Sequence, residues 1–275
     1  ALFHGIVGTS CLLLSQFRIL PAWTMEISKR IMEQGFLLSI VLGIGGLMVP
    51  RLMGSFQPVQ EVVGEKGEKK LQFMKPGRWD VPLYLVLGSA LFLSFWLDRF
   101  AGEYFSNGLR AFIITVVFFK VKVLTSLPKL KDLYIILAWI SVWMVVIGYW
   151  LVFFFPDYYT GFLHVAFIGG FSLMIFSVAT MVTMSHAGEA KKLRSPLKIL
   201  WWVSGLLFLS LMKRLAALFF PDQYFQFLAI AAFLWVGASI AWLLFIFPKF
   251  LKPRDRVAFN RSHDEAKERI MNLKK

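Results

Sequence analysis

With a single cysteine, Cys11, among 275 residues, the chain has no internal disulfide, no CxxCH haem attachment and no thiolate cluster. Whatever it binds is held by other donors. Acidic residues are scarce too: 16 Asp and Glu stand against 30 Lys and Arg, a formal charge of +14. No carboxylate pair, Ser/His/Asp set, HExxH, phosphate-binding glycine loop or nucleophile elbow is present. The four histidines are few enough to be weighed one by one.

What the sequence does have is apolar length. With 58% hydrophobic residues, 29 Phe and 10 Trp, it predicts an all-α fold, a polytopic transmembrane helix bundle over 1–253 followed by a charged tail at 254–275. The positive excess fits cytoplasmic loops facing anionic lipid, so the lipid bilayer is a partner and nucleic acid is not invoked. Eight apolar runs stand out: Ala1–Ser15, Gly35–Val49, Val81–Leu97, Leu109–Leu124, Leu133–Phe155, Gly161–Met184, Leu197–Phe220 and Phe225–Phe247. The first is short for a bilayer core about 30 Å thick. With no charged lead or Met before it, Ala1 reads as a cut into a longer protein. The fourth is interrupted by Arg110, Lys120 and Lys122, yet charge bias favours counting it. Lys and Arg then gather after spans two, four, six and eight, while the turns at Pro156–Thr160 and Pro221–Gln223 carry none. The expectation is about eight spans with both chain ends cytoplasmic.

Two histidines bracket the sixth run, LHVAFIGGFSLMIFSVATMVTMSHAG. His164 and His186 are 22 residues apart, which in a regular α-helix is about 33 Å of rise and places both within roughly 40° of one face. One ion or haem cannot reach both, so two ligands would mean two sites. Topology puts His164 near the outer surface and His186, with His4, near the cytoplasmic one. A histidine in lipid is costly and marks a functional position, as a haem or copper ligand, or else it bonds to a neighbouring helix end. His263 falls in the charged tail, where Ser262 is placed to cap a short surface helix.

Further residues carry alternatives of their own. Met181, Met184 and His186 form a soft-donor grouping suited to Cu(I), or the methionines are packing residues. Gly43, Gly45, Gly46, Gly169 and Gly170 allow close approach of a helix or of a flat porphyrin face. Arg51 ends the second span and Lys213–Arg214 interrupt the seventh. Adjacent helix positions differ by about 100°, so at least one of that pair turns inward, toward an anion such as a haem propionate or a carboxylate. Glu26, Lys29, Arg30 and Glu33 make a stripe of compensating pairs that reads as a solvated face. FFPDYYTGFLH at Phe154–His164 is similar to FFPDQYFQFLA at Phe219–Ala229, with His164 opposite Ala229. A Pro–Asp turn capping the next helix accounts for the shared part.

Three stretches together resemble the NnrS family of bacterial membrane proteins: GIGGLMVPRLMG at Gly43–Gly54, HVAFIGGFSLMIFSVATMVTMSHAG at His164–Gly188 and WVGASIAWLLFIFPKFLKPR at Trp235–Arg254. The chain is similar to the later two-thirds of a typical member. The family's Gly–His–Thr–Gly–Arg reads Ser185–His186–Ala187–Gly188–Glu189 here. Members tend to carry a histidine where this chain has Trp139 and Trp143. The resemblance implies the bacterial inner membrane, haem and copper, and a role in tolerance of nitric oxide or nitrosative stress, with a redox partner and electron transfer among the expectations. On that reading His164, His186 and His4, with Arg51, Lys213 and Arg214, bind cofactor, and His164, His186 and Met184 are the metal donors. The competing classes are a transporter or channel for a small anion and a structural subunit of a membrane complex.

Overall fold

The computed structural model describes residues 1–54, 59–63, 69–73 and 80–251. The tail with Ser262 and His263 lies outside the described residues, as do the side chains of 55–79. Every one of the eight apolar runs is helical: α1 (Leu2–Gln16), α2 (Trp23–Leu52), α3 (Asp80–Phe100), α4 (Glu103–Lys120), α5 (Leu133–Phe154), α6 (Pro156–His186), α7 (Lys198–Phe219) and α8 (Pro221–Phe250). Six are long and apolar enough to cross a membrane. The other two of the expected eight fall short: α1 has only 15 residues, and α4 carries Glu103, Arg110 and Lys120 over 18.

The chain forms two compact units. The first comprises Ala1–Arg51 and Ser55–Lys122, and the second Leu52–Gly54 and Val123–Lys275. Within the first, an antiparallel hairpin, β1 (Val59–Val63) and β2 (Lys69–Phe73), joins α2 to α3, with Val59 opposite Phe73 and Val63 opposite Lys69. Apart from this pair the described elements are helices, as the all-α expectation has it. The strands' own cue was weak: VQEVV carries three valines, whereas KKLQF has no β-branched residue.

In the second unit the small residues explain the packing. A Cβ on Gly148 of α5 would come within 2.6 Å of the Ala166 nitrogen on α6, and one on Gly170 of α6 would run into Val145 of α5. These helices therefore pack backbone to backbone, the use expected for Gly170. Hydroxyls tie the other helices together: Ser210 of α7 donates to the Ala231 carbonyl of α8 at 2.7 Å, and Trp242 of α8 donates to Thr180 of α6 at 2.8 Å. In lipid such bonds carry association that hydrophobicity alone does not drive. The core between them is built from Ile168, Phe176, Val203, Leu207, Leu211 and Ala238.

The two repeated segments fold alike. Phe155 (φ −131°, ψ 69°) and Phe220 (φ −125°, ψ 76°) end α5 and α7 in nearly the same conformation, and a 3-10 turn at Pro156–Tyr158 or Pro221–Gln223 opens the next helix. Neither Asp157 nor Asp222 caps that helix by a side-chain bond. Proline at the first helical position and the backbone bonds from Tyr158 to Phe155 and from Gln223 to Phe220 make the turn instead. Beyond it the copies diverge. After Ala229, α8 continues as a regular helix, whereas immediately after His164, α6 widens into a π-helical stretch, Val165–Ser172. A π turn holds more residues than an α turn, so the face shared by His164 and His186 in an ideal helix is not kept.

Candidate functional site

The first unit contains a partly open cavity of about 1100 Å³, at or above the roughly 300–1,000 Å³ of ordinary ligand pockets. Helices α1, α2, α3 and α4 all line it. Most of the lining is apolar, including Leu42, Leu91, Phe92 and Ile113, and the polar groups are His4, Ser39, Arg51, Asp80, Tyr84 and Lys120. Gly43 and Gly88 line it with nothing within 4 Å of where a Cβ would stand, and Gly46 meets only Val117 at 3.8 Å. Unlike Gly170, these glycines are open to the cavity rather than pressed on a helix. At one edge Lys120 pairs with Asp80 at 2.7 Å and lies over the Tyr84 ring.

His4 is 5% exposed. Its Nδ1 lies 3.3 Å from the Ser39 hydroxyl, which also bonds to the Gly35 carbonyl at 2.7 Å. A carbonyl only accepts, so the Ser39 proton goes to Gly35 and the hydroxyl oxygen accepts from His4 Nδ1–H. The neutral ring therefore keeps its lone pair on Nε2, which is buried and has no partner. This is the tautomer and outer-sphere bond that a metal-ligating histidine uses. Arg51, from the end of α2, lines the same cavity with its Nε buried and unpartnered.

Beside the cavity runs a buried ion network that the sequence reading missed. Arg110 of α4 is 0% exposed; it donates to Asn107 and to the Ser94 hydroxyl and carbonyl, pairs with Asp98 at 2.6 Å and lies 4.2 Å over the Phe95 ring. Asp98 also binds Arg30 at 3.1 Å, and Arg30 reaches Glu26 and Glu103. The stripe on α2 is thus no freely solvated face, because Arg30 ties α2 to α3 and α4. The signal available was Asp98, an acid immediately after the apolar run Val81–Leu97.

In the second unit, His164 and His186 each turn Nδ1 back to a carbonyl four residues earlier, Thr160 and Val182. As carbonyls cannot donate, both neutral rings carry their proton on Nδ1. His186 is exposed, while Met184 is fully buried. Two residues apart on a helix they point about 200° apart, so this pair does not converge on one ion. Glu189, at the position where the resemblance implies a cation, is paired with Lys192 at 3.1 Å and Lys249 at 3.2 Å. Trp143, in the α5 region where the resemblance implies a histidine, packs edge-on against Trp139 with its indole nitrogen buried and unpartnered. Of the adjacent cations on α7, Arg214 points inward and is 4% exposed, whereas Lys213 is half-buried with its ammonium over Phe227. Arg214 is close enough to His164 for its charge to act on the ring. His4 and Arg51 thus share the first unit, and His164 and Arg214 the second. Among the described residues, no three His, Cys, Asp or Glu side chains group as a metal site.

The fold defines a multi-pass helical membrane protein with a buried histidine in a large apolar cavity. A family model described as NnrS protein matches residues 1–254, and the chain belongs to that family. No curated protein and no solved structure matches it.

Proposed function

We propose that this is a haem-binding protein of the bacterial inner membrane that acts in tolerance of nitric oxide. The observation that carries the proposal is the cavity of the first unit: about 1100 Å³, apolar, glycine-floored and lined by His4 with an unpartnered Nε2. The residues present suit the group. His4 would be the iron ligand, held in the correct tautomer by Ser39. Arg51, with its Nε unpartnered, would supply a cation for one carboxylate of a porphyrin, Lys120 would meet the other only by giving up its pair with Asp80, and Gly43, Gly46 and Gly88 leave a flat face free. Haem bound there would supply a redox-active iron with affinity for nitric oxide. The protein's own part is to exclude water with Phe92, Leu91 and Ile113 and to fix the imidazole. The reading ranks His4 above His164 and His186 because His4 lines this cavity and the other two do not; the Nδ1 bonds of all three leave Nε2 as the ligating atom. Copper and a redox partner for electron transfer remain part of the proposal through the family resemblance alone.

Eight spans with both ends cytoplasmic belong to the same reading. The charge that weakens α4 as a span is Arg110, and Asp98 neutralises it inside the protein, so it need not face lipid. Full-length protein in uncharged detergent, purified from cells supplied with haem, is expected to show a Soret band that is lost or displaced in His4→Ala and kept in His164→Ala and His186→Ala. Metal analysis of the same preparation reads copper. No Soret band in the parent protein, or an unchanged one in His4→Ala, refutes the assignment.

A further inference from the structure

We infer that Arg214 is the anchor of an oxyanion-binding site within the second unit, separate from the cavity of the first. Arg214 is 4% exposed, and its Nε and Nη1 are buried without a hydrogen-bond partner. It makes no ion pair among the described residues. Among the described residues neither Asp157 nor Asp222, the acids of the two repeated turns, pairs with it, and its one charge-stabilising contact is the Tyr224 ring, 6.0 Å away. A guanidinium is always charged, and an isolated buried charge is among the most unfavourable groups a protein or bilayer contains. Neighbouring groups raise the demand for an anion: Lys213 adds a second positive charge on the same turn, and His164 offers no negative one.

The donor geometry defines the ligand class. Nε and Nη1 are both unused; they lie on opposite sides of the guanidinium, so a bidentate anion meets Nη2 together with one of them, and the planar fork on either edge matches two oxygens of a carboxylate or phosphate. A spherical halide satisfies that fork less well. The oxyanion is therefore either a small free anion or the headgroup phosphate of an anionic lipid, and both would meet the same kind of fork.

The test uses the full chain in maltoside micelles, which carry no phosphate. Equilibrium dialysis with labelled formate is expected to show saturable binding near one equivalent per chain, at least tenfold weaker for Arg214→Gln, weakened for Arg214→Lys and little displaced by chloride at equal ionic strength. Retained formate binding in His4→Ala separates this site from the haem cavity. Adding phosphatidylglycerol distinguishes the two sources: lost formate binding identifies a lipid phosphate as the resident anion, and unchanged binding identifies a free anion. Should Arg214→Gln not fold, the Arg214→Lys comparison and the chloride competition decide alone. No saturable formate binding by the parent protein, or equal binding by the variants, overturns the inference.

Discussion

Among the described residues two arginines are buried, one in each unit, and they are handled in opposite ways. Arg110 has all its nitrogens engaged, with Ser94, Asn107 and Asp98 around it and Phe95 beneath. Arg214 is nearly as buried and has two nitrogens without partners. A saturated buried cation is a structural tie whose cost is offset inside the fold. An unsaturated one is tolerated only where something else completes it. Burial and residue type alone do not separate the two; the partner list does.

The comparison breaks or holds on stability first. Asp98→Ala leaves Arg110 and much of Arg30 without their shared carboxylate, and removing one partner of a buried pair costs roughly 3–5 kcal/mol. Arg214→Met removes an unpaired charge while keeping an apolar stem, so in oxyanion-free buffer it is expected to be neutral or stabilising, on the order of 1 kcal/mol or more. Thermal unfolding of the full chain in maltoside micelles reads both. Equal losses would mean that Arg214 has partners as good as those of Arg110.

A second contrast, of smaller size, concerns the glycines. Gly148→Ala drives a methyl to within 2.6 Å of the Ala166 nitrogen, and overpacking of that kind costs typically 1–3 kcal/mol. Gly43→Ala meets open space and is expected to gain up to about 1 kcal/mol from helix propensity. Gly43→Phe should then leave the unfolding midpoint near its parent value yet reduce haem retention, because the ring occupies the cavity. A large stability loss in Gly43→Ala would remove the distinction between packing glycines and cavity glycines.

Much of this was legible in the sequence, and what was not has physical reasons. Apolar runs gave all eight helices, and the inward turn of one cation in Lys213–Arg214 followed from their 100° separation on a helix. Close helix packing, the favoured use of the five glycines, holds at Gly170 and not at Gly43, where a Cβ meets open space. The equation of His164 and His186 as one face failed because it assumed constant rotation, and the π stretch at Val165–Ser172 breaks it. Arg110 read as an obstacle to a span because its partner Asp98 sits on a different helix. The cavity was invisible for a similar reason: His4, Arg51, Gly88 and Lys120 come from four helices and share no local motif. Only Gly43–Gly46, beside Arg51, pointed toward it.

The smallest effect is expected where this chain departs from its family, at Glu189. Gly188 takes φ +72°, a left-handed conformation that reverses the chain after α6, and the Glu189 amide then bonds to the Met184 carbonyl at 2.8 Å. This brings the Glu189 carboxylate to Lys249 on α8, so the end of α6 is tied to α8 by an ion pair where the family resemblance implies an arginine. Restoring the family residue, Glu189→Arg, sets a cation against Lys249 and Lys192. Because such partly exposed pairs are worth only about 0.2–1 kcal/mol, the unfolding midpoint should fall slightly. Adding Lys249→Glu re-forms the pair with its charges exchanged and should recover most of that loss, a coupling that a double-mutant cycle isolates. Recovery would show that Glu189 exchanged partners with the opposite helix rather than weakening a site at His186. Independent, additive effects would mean that the two residues merely lie close together, and the departure from the family pattern would then have no structural compensation at this helix end.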